Sequence, residues 1–559
     1  MKNKRILACL VSSILFLFHF PLSTQPNANH RRWMFPMEGT VVQSPAVGSD
    51  GTVYIGTGMF YDSPSADALY AIRPDGTLKW KRNVDRPVHS SVALDGKDNL
   101  YFLAGNAAHY DRMDAVVVSY DSSGSLRWTS EAIGWLYPIP FTGFTPAIAA
   151  DGTIYACGRF SLFAMDPSGK TKWKYDFPLI DNTTSSGVRE KAGTQRSAPT
   201  IAKDGTIYVN TATGSYGQTE VEGGLFAFDH DGNLKWRTYD VGGYAAPIIG
   251  KDGTIYSAIG CYWVPGDTSA AQVAMESKLL AIHPDGTLKW SVPTQLWIQS
   301  SPSIGSDGTL YVGTTHHPLD IPAWFYAITP EGQIKWKYDT YDDVKDMPPA
   351  KLNPPDIYNS PAIDSNGRIY FGNEIGLLYA MSPDGKVAWM DDNIWSLHDQ
   401  GPALASDGTL YVATHSILGL IAMNTGSRGL ADSPWPKFRQ NNANTGNARP
   451  FEQPESVEHA AGPGTFEFYP NYPNPFNPAT TIAFRLAASG FVNLGIFNIA
   501  GQRVRELVYG QRGEGHQQVC WHGTDDRGAK VQSGVYICRM RVESGGKVFQ
   551  KTQKLCLVN

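Results

Sequence analysis

The side chains best suited to hold a ligand in this 559-residue chain are aromatic residues and histidines in irregular segments. Some of them are close in sequence to carboxylates, such as Asp342, Asp343 and Asp346. Flat aromatic faces beside carboxylates suit a sugar-like or peptide ligand. The candidate ligand-binding residues are Tyr61, Tyr110, Trp135, Tyr262, Trp263, His316, His317, Trp324, Tyr341 and His398.

Packing is the alternative role for these side chains, because long loops must bury apolar surface of their own and aromatic residues do so well. For a single residue we expect packing, and for the cluster as a whole both roles stay open. His316 and His317 are adjacent, so in an extended segment they point in opposite directions and do not easily serve one site. The segment "YDTYDDVKD" lacks the ligand spacing of a calcium loop and is predicted to be solvated.

Strong catalytic motifs are absent from the sequence. It contains no G-x-S-x-G elbow, no HExxH and no P-loop, and its cysteines do not have metal-binding spacing. We therefore assign no catalytic residue and no metal site.

A repeated stretch indicates the elements that position these residues. "HPDGTLKW" at residues 283–290 has near copies starting at Arg73, Thr329 and Ser382. The repeat unit begins with a Ser-Pro-like pair and continues with an Asp-Gly turn, a "TIY" strand, a variable segment, "LYAI", a second Gly turn and "LKW". From Pro45 to Pro402 seven steps average about 51 residues. This period, built of short strands and tight turns, predicts an eight-bladed β-propeller with four strands per blade.

The eighth unit lacks a clear closing strand. "RRWMFPM" at residues 31–37 is predicted to supply it, which would join the two ends of the ring and remove exposed sheet edges. "SPWPKF" around Trp435 is the alternative. The tryptophan that closes each of the other units is predicted to pack between neighbouring blades.

Antiparallel strands place their connections alternately on two faces of the disc. All Asp-Gly turns should therefore lie on one face, and all variable connections on the other. Function on a repeat scaffold usually lies in such variable segments.

Export is predicted by residues 1–25, which have a basic start, an apolar run and a polar stretch typical of a signal peptide. A membrane anchor is the alternative, but the run of about fifteen residues is shorter than the roughly 20 that a span requires. The formal charge of −5 argues against a nucleic-acid partner. The six cysteines do not form a disulfide scaffold, although one bridge among Cys520, Cys538 and Cys556 stays open.

The repeats at residues 31–447, with the tail "SPWPKFRQNNANTG", resemble the PQQ-like (pyrroloquinoline-quinone-like) propellers. That resemblance implies an eight-bladed fold and includes both quinone dehydrogenases and cofactor-free binding or assembly proteins. The dehydrogenases use an adjacent cysteine pair and a calcium site. Here Cys157 and Cys261 are isolated and no position matches the calcium ligands, so we expect no cofactor, the quinone included.

A Pro/Glu/Gly-rich linker at 448–464 precedes alternating strands over residues 465–559, a pattern typical of a small β-sandwich. "YPNPFNPATTI", "NIAGQRVREL", "GTDDRG" and "SGVY" resemble the immunoglobulin-like sorting domains of type IX secretion, related to the flagellar hook-capping protein. The resemblance implies the type IX secretion machinery as a partner and passage across the outer membrane without spanning it.

The sequence thus predicts an exported cell-surface or secreted propeller that binds an unidentified carbohydrate or protein through its long-loop face. An enzyme using that face is one alternative, either a quinone-dependent oxidoreductase or a polysaccharide-degrading enzyme. A structural scaffold for surface proteins is another.

Overall fold

The computed structural model describes two compact units, Met1–Glu452 and Gln453–Asn559. Within them the described residues are 30–558, without 40, 42, 59–66, 106–112, 137–143, 159–160, 178–180, 184–188, 192–194, 213–223, 239–242, 244, 260–276, 295, 316–322, 344–355, 393, 395–400, 415–418, 449–465, 469–470, 472–475, 487, 499–500, 514 and 545–546. They form strands and turns and include no helix.

In the described part of the first unit, eight antiparallel sheets form the blades, as an eight-bladed propeller predicts, and a two-stranded hairpin forms a ninth sheet. A first strand, β1 (Arg31–Phe35), precedes blade 1. The strands of the first four blades are β2 (Ala46–Val47), β3 (Val53–Thr57), β4 (Ala68–Ile72) and β5 (Leu78–Asn83); β6 (Ala93–Leu94), β7 (Leu100–Gly105), β8 (Met113–Tyr120), β9 (Leu126–Thr129) and β10 (Trp135–Leu136); β11 (Ala147–Ile148), β12 (Ile154–Cys157), β13 (Ser161–Met165) and β14 (Thr171–Asp176); a separate hairpin of β15 (Asp181–Thr183) and β16 (Arg189–Lys191); and β17 (Gln195–Arg196), β18 (Thr200–Ile201), β19 (Ile207–Ala212), β20 (Gly224–Phe228) and β21 (Leu234–Arg237).

The last four blades repeat the same order. Their strands are β22 (Ile248–Ile249), β23 (Ile255–Ile259), β24 (Lys278–Ile282) and β25 (Leu288–Pro293); β26 (Ser303–Ile304), β27 (Leu310–Gly313), β28 (Trp324–Ile328) and β29 (Ile334–Asp339); β30 (Ala362–Ile363), β31 (Ile369–Gly372), β32 (Leu378–Met381) and β33 (Val387–Asp391); and β34 (Ala403–Leu404), β35 (Thr409–Ala413) and β36 (Leu420–Asn424). The inner three strands of each blade are almost wholly buried, whereas the fourth alternates between exposed and half-buried residues.

The closing strand of the eighth blade is β1, which pairs antiparallel with β36. Arg31 in β1 forms a bidentate ion pair with Asp391 of blade 7, at 2.9 Å and 2.7 Å. Trp33 donates its indole N–H to the Pro74 carbonyl of blade 1 at 2.9 Å. The N-terminal strand therefore connects blades 7, 8 and 1, and the alternative in which "SPWPKF" supplies the strand is wrong.

Tryptophans link neighbouring blades, as predicted. The indole of Trp236 in blade 4 donates to the Pro284 carbonyl in blade 5, and Gly286 of the same turn lies against the indole ring. Equivalent indole N–H bonds of 2.8–3.0 Å join Trp33 to Pro74, Trp80 to Ser122, Trp128 to Pro167, Trp173 to His230, Trp290 to Pro330 and Trp336 to Pro383. Among the described residues Trp389 has no acceptor for its indole N–H. Blade 8, which follows blade 7, has no turn between its third strand β36 and its closing strand β1, so it offers no turn carbonyl there. His30 stacks on the Trp389 ring.

The second unit is a two-sheet sandwich, as its alternating strands predicted. One sheet is β37 (Phe466–Phe468), β38 (Thr480–Leu486) and β41 (Gly515–Trp521), and the other is β40 (Arg503–Arg512), β39 (Gly490–Asn498), β42 (Gly534–Ser544) and β43 (Lys547–Leu557). Trp521, Phe484, Leu494 and Met540 are among the residues of the core. Cys520 and Cys538 are free thiols, so no disulfide forms among Cys520, Cys538 and Cys556. Burial raises the pKa of Cys538 to about 12.

Candidate binding face

The two faces of the propeller differ in the length of their connections. Between first and second strands, and between third and fourth strands, the chain makes compact turns, such as residues 250–254 and 283–287 of blade 5. The connections at the opposite end of the strands range from residues 158–160 to residues 340–361. We call these the short-turn face and the long-loop face. The strand order confirms the predicted division.

On the short-turn face, one carboxylate–cation contact recurs in five of the described blades. In blade 5, Thr254 donates its backbone N–H and its hydroxyl to Asp252, and Lys289 reaches that carboxylate at 3.1 Å. Burial alone would raise the pKa of Asp252, but these hydrogen bonds and the Lys289 charge outweigh it and lower the pKa to about 2. Related contacts join Asp50 to Lys79, Asp204 to Lys235, Asp307 to Lys335 and Asp407 to Arg32. "DGT" and "LKW" therefore recur together because their Asp, Thr and Lys form one contact.

Residues 430–448, which we call the axial segment, run along the innermost strands. In seven blades the backbone N–H of the second residue of the first strand donates to this segment. The donor and acceptor residues are Ile304 to Trp435, Ile363 to Pro436, Leu404 to the Asn442 side chain, Val47 to Asn442, Leu94 to Ala443, Ile148 to Thr445 and Ile201 to Gly446. The segment thus passes blades 6, 7, 8, 1, 2, 3 and 4 in that order. In blade 5, Ile248 and Ile249 belong to the same apolar cluster as Trp435 and Ala448.

Two fully buried cations anchor the axial segment. Lys437 donates to the carbonyls of Phe438 and Asn441 and to the Asn444 side chain, at 2.8, 3.1 and 2.6 Å. Arg439 donates to the carbonyls of Pro199 and Pro146 at 2.6 Å and 3.1 Å, and so bridges blades 4 and 3. Burial, and then the charge of Arg439, lower the pKa of Lys437 to about 7.

The axial segment approaches and leaves the innermost strands from the short-turn face. It follows β36, a third strand, and third strands end at that face. Its last residues run parallel to β18, with Asn447 beside Ile201, and first strands also end there. Sequence reasoning did not assign Lys437 and Arg439 a role, although the tail that contains them resembles the repeat family.

Two of the sequence-predicted candidates are described on the long-loop face. Trp324 opens β28, is half-buried and packs against the core, and the ammonium of Lys337 lies 3.9 Å from its ring centroid. One face of that indole is therefore occupied. Tyr341 lies two residues after β29 and is 38 % exposed, and its backbone N–H donates to Asp339 at 2.8 Å.

A carboxylate beside Tyr341 departs from the expected solvated segment. The phenols of Tyr338 and Tyr379 both donate to Asp343 at 2.9 Å. Burial raises the pKa of Asp343; the two phenol bonds oppose this rise, and the charges of Asp342 and Asp339 add to it. The prediction that "YDTYDDVKD" is solvated is thus wrong for Asp343, because folding brings Tyr379 of blade 7 against it.

The remaining candidates stay predictions. Trp135 lies in β10, which pairs with β8, and its side chain is outside the described part of the structure. The others lie outside the described residues altogether: Tyr61, Tyr110, Tyr262, Trp263, His316, His317 and His398. The described residues thus bring together Trp324, Lys337, Asp339 and Tyr341 at the end of one blade, where Trp324 pairs with Asp339.

Pyrroloquinoline quinone does not fit the described part of the axis. Its three carboxylates would need cations, and the buried cations there, Lys437 and Arg439, already donate to protein oxygens. The described residues also contain no cluster of three His, Cys, Asp or Glu side chains placed to hold a metal ion. Among them there is likewise no helix that is long and apolar enough to cross a membrane.

Two family models match the sequence. A PQQ-like model, described as outer membrane protein assembly factor BamB, matches residues 23–258 and 113–296. A model described as the FlgD Ig-like domain matches residues 474–546. No curated protein matches the chain.

Solved structures with a similar fold have low sequence identity to the chain. BamB from Moraxella catarrhalis is 12 % identical, with 70 % of this chain and 98 % of that one covered and a TM-score of 0.48. PorZ from Porphyromonas gingivalis, an essential bacterial surface component of the type IX secretion system, is 15 % identical, with 92 % and 74 % covered and a TM-score of 0.37. The Dos1 propeller is 11 % identical, with 72 % and 97 % covered and a TM-score of 0.48. The strand order shows a β-propeller, of which residues 23–296 match the PQQ-like repeat model, and residues 474–546 of the second unit match the FlgD Ig-like domain.

Proposed function

We propose that this protein is an exported surface or secreted binding protein whose propeller holds a carbohydrate or protein partner on its long-loop face. The observation that carries the proposal is the contrast between the two faces. The axial segment and the Asp–Lys contacts occupy the short-turn face with internal bonds, whereas the large variation in connection length falls on the other face. Scaffolds that present variable loops on one face commonly bind through them.

The described part of the long-loop face has a suitable chemistry. Tyr341 offers an exposed ring, and Asp339 and Asp342 lie close to it. Such a ring can stack on the face of a sugar while the adjacent carboxylates accept hydrogen bonds from the sugar hydroxyls. We include the loop candidates Trp263, His316, His317 and His398 in the proposed surface, together with Tyr61, Tyr110, Trp135, Tyr262 and Trp324.

The FlgD-like domain supports the second half of the proposal. We propose that residues 465–559 direct the protein through the type IX secretion machinery to the cell surface or the medium, after a signal peptide at residues 1–25 has been used. A stop codon in place of residues 465–559 should leave the propeller on the inner side of the outer membrane, because it could no longer be exported across it. Finding the shortened protein in the medium would contradict this part.

Arrays of glycans and of peptides provide the test of binding. The full-length protein should bind a defined subset, and Trp263→Ala or Tyr341→Ala should weaken that binding at least tenfold. Leu288→Ala is the matched control, because Leu288 is 60 % exposed but begins a fourth strand at the short-turn face. Equal losses in all variants, or no binding on either array, would contradict the proposal.

One observation favours an enzyme as the second candidate. Asp343 has a raised pKa and two phenol partners, and perturbed carboxylates beside other titratable groups occur at catalytic sites. A polysaccharide-degrading activity would release new reducing ends or unsaturated products, and Asp343→Asn would abolish their release while binding persists.

A further inference from the structure

The outer face of the four-stranded sheet in the C-terminal unit has an unusual composition. Residues of β39 alternate, so that Val492, Leu494 and Ile496 enter the core while Phe491 and Phe497 lie on the opposite side. A solvated face of an antiparallel sheet usually carries polar residues. Here the outer positions of all four strands instead include apolar or aromatic side chains, namely Phe491, Phe497, Tyr509, Ile537 and Val548.

Two of these side chains are strongly exposed. Tyr509 is 65 % exposed, and its ring meets that of Phe491 edge-on at a centroid distance of 4.9 Å. Val548 is 54 % exposed at the other edge of the sheet. A rigid aromatic pair of this kind can fill a partner's pocket at little cost in conformational entropy.

Arginines lie among the aromatic residues. Arg539 places its guanidinium 4.4 Å from the centre of the Phe497 ring, and in the described structure no carboxylate pairs with it. Arg541, two residues farther along β42, pairs with Glu543 at 2.8 Å. Tyrosine and arginine are the residues most enriched among the energetic centres of protein interfaces.

The other sheet of the same sandwich provides an internal comparison. Outer positions of β38 and β41 hold Thr481, Gln518 and Cys520, which are exposed and small or polar. Among the side chains that the structure describes, the exposed aromatic composition is therefore found on the four-stranded sheet only.

Charge indicates the kind of partner. Residues 465–559 contain eleven Lys and Arg against six Asp and Glu, a net charge of +5, within a chain of net charge −5. On the outer face Arg503, Arg539, Arg541 and Lys554 outnumber Glu506 and Glu543. An acidic partner is complementary to this surface.

We propose that the outer face of β40, β39, β42 and β43 is a docking surface for an acidic polypeptide segment that carries aromatic or other apolar side chains. Arg539 would pair with one of its carboxylates, where bidentate geometry gives both strength and direction. Tyr509, Phe491 and Val548 would receive its apolar side chains. This surface belongs to the C-terminal unit and the long-loop face to the propeller, and the proposal holds whether or not the C-terminal unit directs export.

A random peptide library selected against the immobilised full-length protein tests the proposal. Enriched peptides should be acidic and contain aromatic residues, and synthetic copies should bind in solution. Arg539→Ala and Tyr509→Ala should each weaken that binding about tenfold or more, and Gln518→Ala on the other sheet should leave it unchanged. Thermal unfolding of each variant, measured in parallel, separates a lost contact from a lost fold.

Several outcomes would overturn the proposal. Enrichment of basic or neutral peptides, or no enrichment, would remove the acidic polypeptide as the occupant. Equal binding by wild type and by Arg539→Ala and Tyr509→Ala would place any selected peptide elsewhere on the chain. Binding to vesicles of an anionic phospholipid or to an anionic polysaccharide that depends on Arg539, with no peptide enriched, would identify a different class of partner.

Discussion

The indole N–H of Trp236 donates to the carbonyl oxygen of Pro284 across the boundary between blades 4 and 5, at 2.8 Å. A Cβ at Gly286 in that turn would lie 2.9 Å from the indole ring, and its φ of +91° is one that L residues rarely adopt. Glycine therefore serves both the turn and the contact between blades.

Gly286→Ala should consequently destabilise the propeller more than Gly205→Ala. Gly205 also has a positive φ, but nothing lies within 4 Å of its Cβ position, so its substitution costs only the backbone strain of about 1–2 kcal/mol. The overlap at Gly286 should add about 1–3 kcal/mol. Urea unfolding followed by tryptophan fluorescence measures the difference, because Trp521 alone of fifteen tryptophans lies outside the propeller unit. Equal losses of stability for the two substitutions would show that the Trp236 ring does not restrict the turn at Gly286.

Arg439→Met should lower the free energy of unfolding by about 2–6 kcal/mol, since it leaves the carbonyls of Pro146 and Pro199 buried without their donor. Arg428→Met is the control, because Arg428 is exposed just before the axial segment and should change stability by less than about 0.5 kcal/mol. Denaturant unfolding at neutral pH compares the two. A small effect of Arg439→Met would mean that the axial segment does not hold the blades together.

Acid should weaken the propeller in a defined pH window. The pKa of Asp252 is lowered in the folded protein to about 2 from its usual 3.8, so its stabilising contribution is complete above about pH 4 and is lost as the pH falls towards 2. Asp252→Asn and Lys289→Met should each be less stable at pH 7 and lose less stability between pH 4 and pH 2 than wild type. Melting temperatures across that range provide the measurement, and parallel curves for wild type and variants would contradict it.

Removal of β1 should open the ring. A chain that starts at residue 30 keeps β1 and should melt like the full-length protein, whereas one that starts after residue 37 loses the Arg31–Asp391 pair and the Trp33 indole bond. It also exposes the edge of β36, which favours association between molecules. Size-exclusion chromatography and thermal unfolding distinguish the two chains. A monomeric and equally stable shorter chain would show that closure through β1 is dispensable.

The repeats made most of the propeller predictable, because each unit carries its own turn and strand signals. "DGT" and "LKW" predicted turns and strands, and "RRWMF" predicted the closing strand. What the sequence did not predict depends on contacts between distant units. The role of Arg439 requires carbonyls more than two hundred residues away, and the burial of Asp343 requires Tyr379 from the next blade.

Hydroxyl-radical footprinting of the full-length protein, with and without a ligand selected from the arrays, tests the central claim most directly. We predict protection of Tyr341 and of the connections between second and third strands, with unchanged labelling of short-turn-face side chains such as Leu288 and Leu126. Protection of Leu288 and Leu126, with Tyr341 unchanged, would contradict the account.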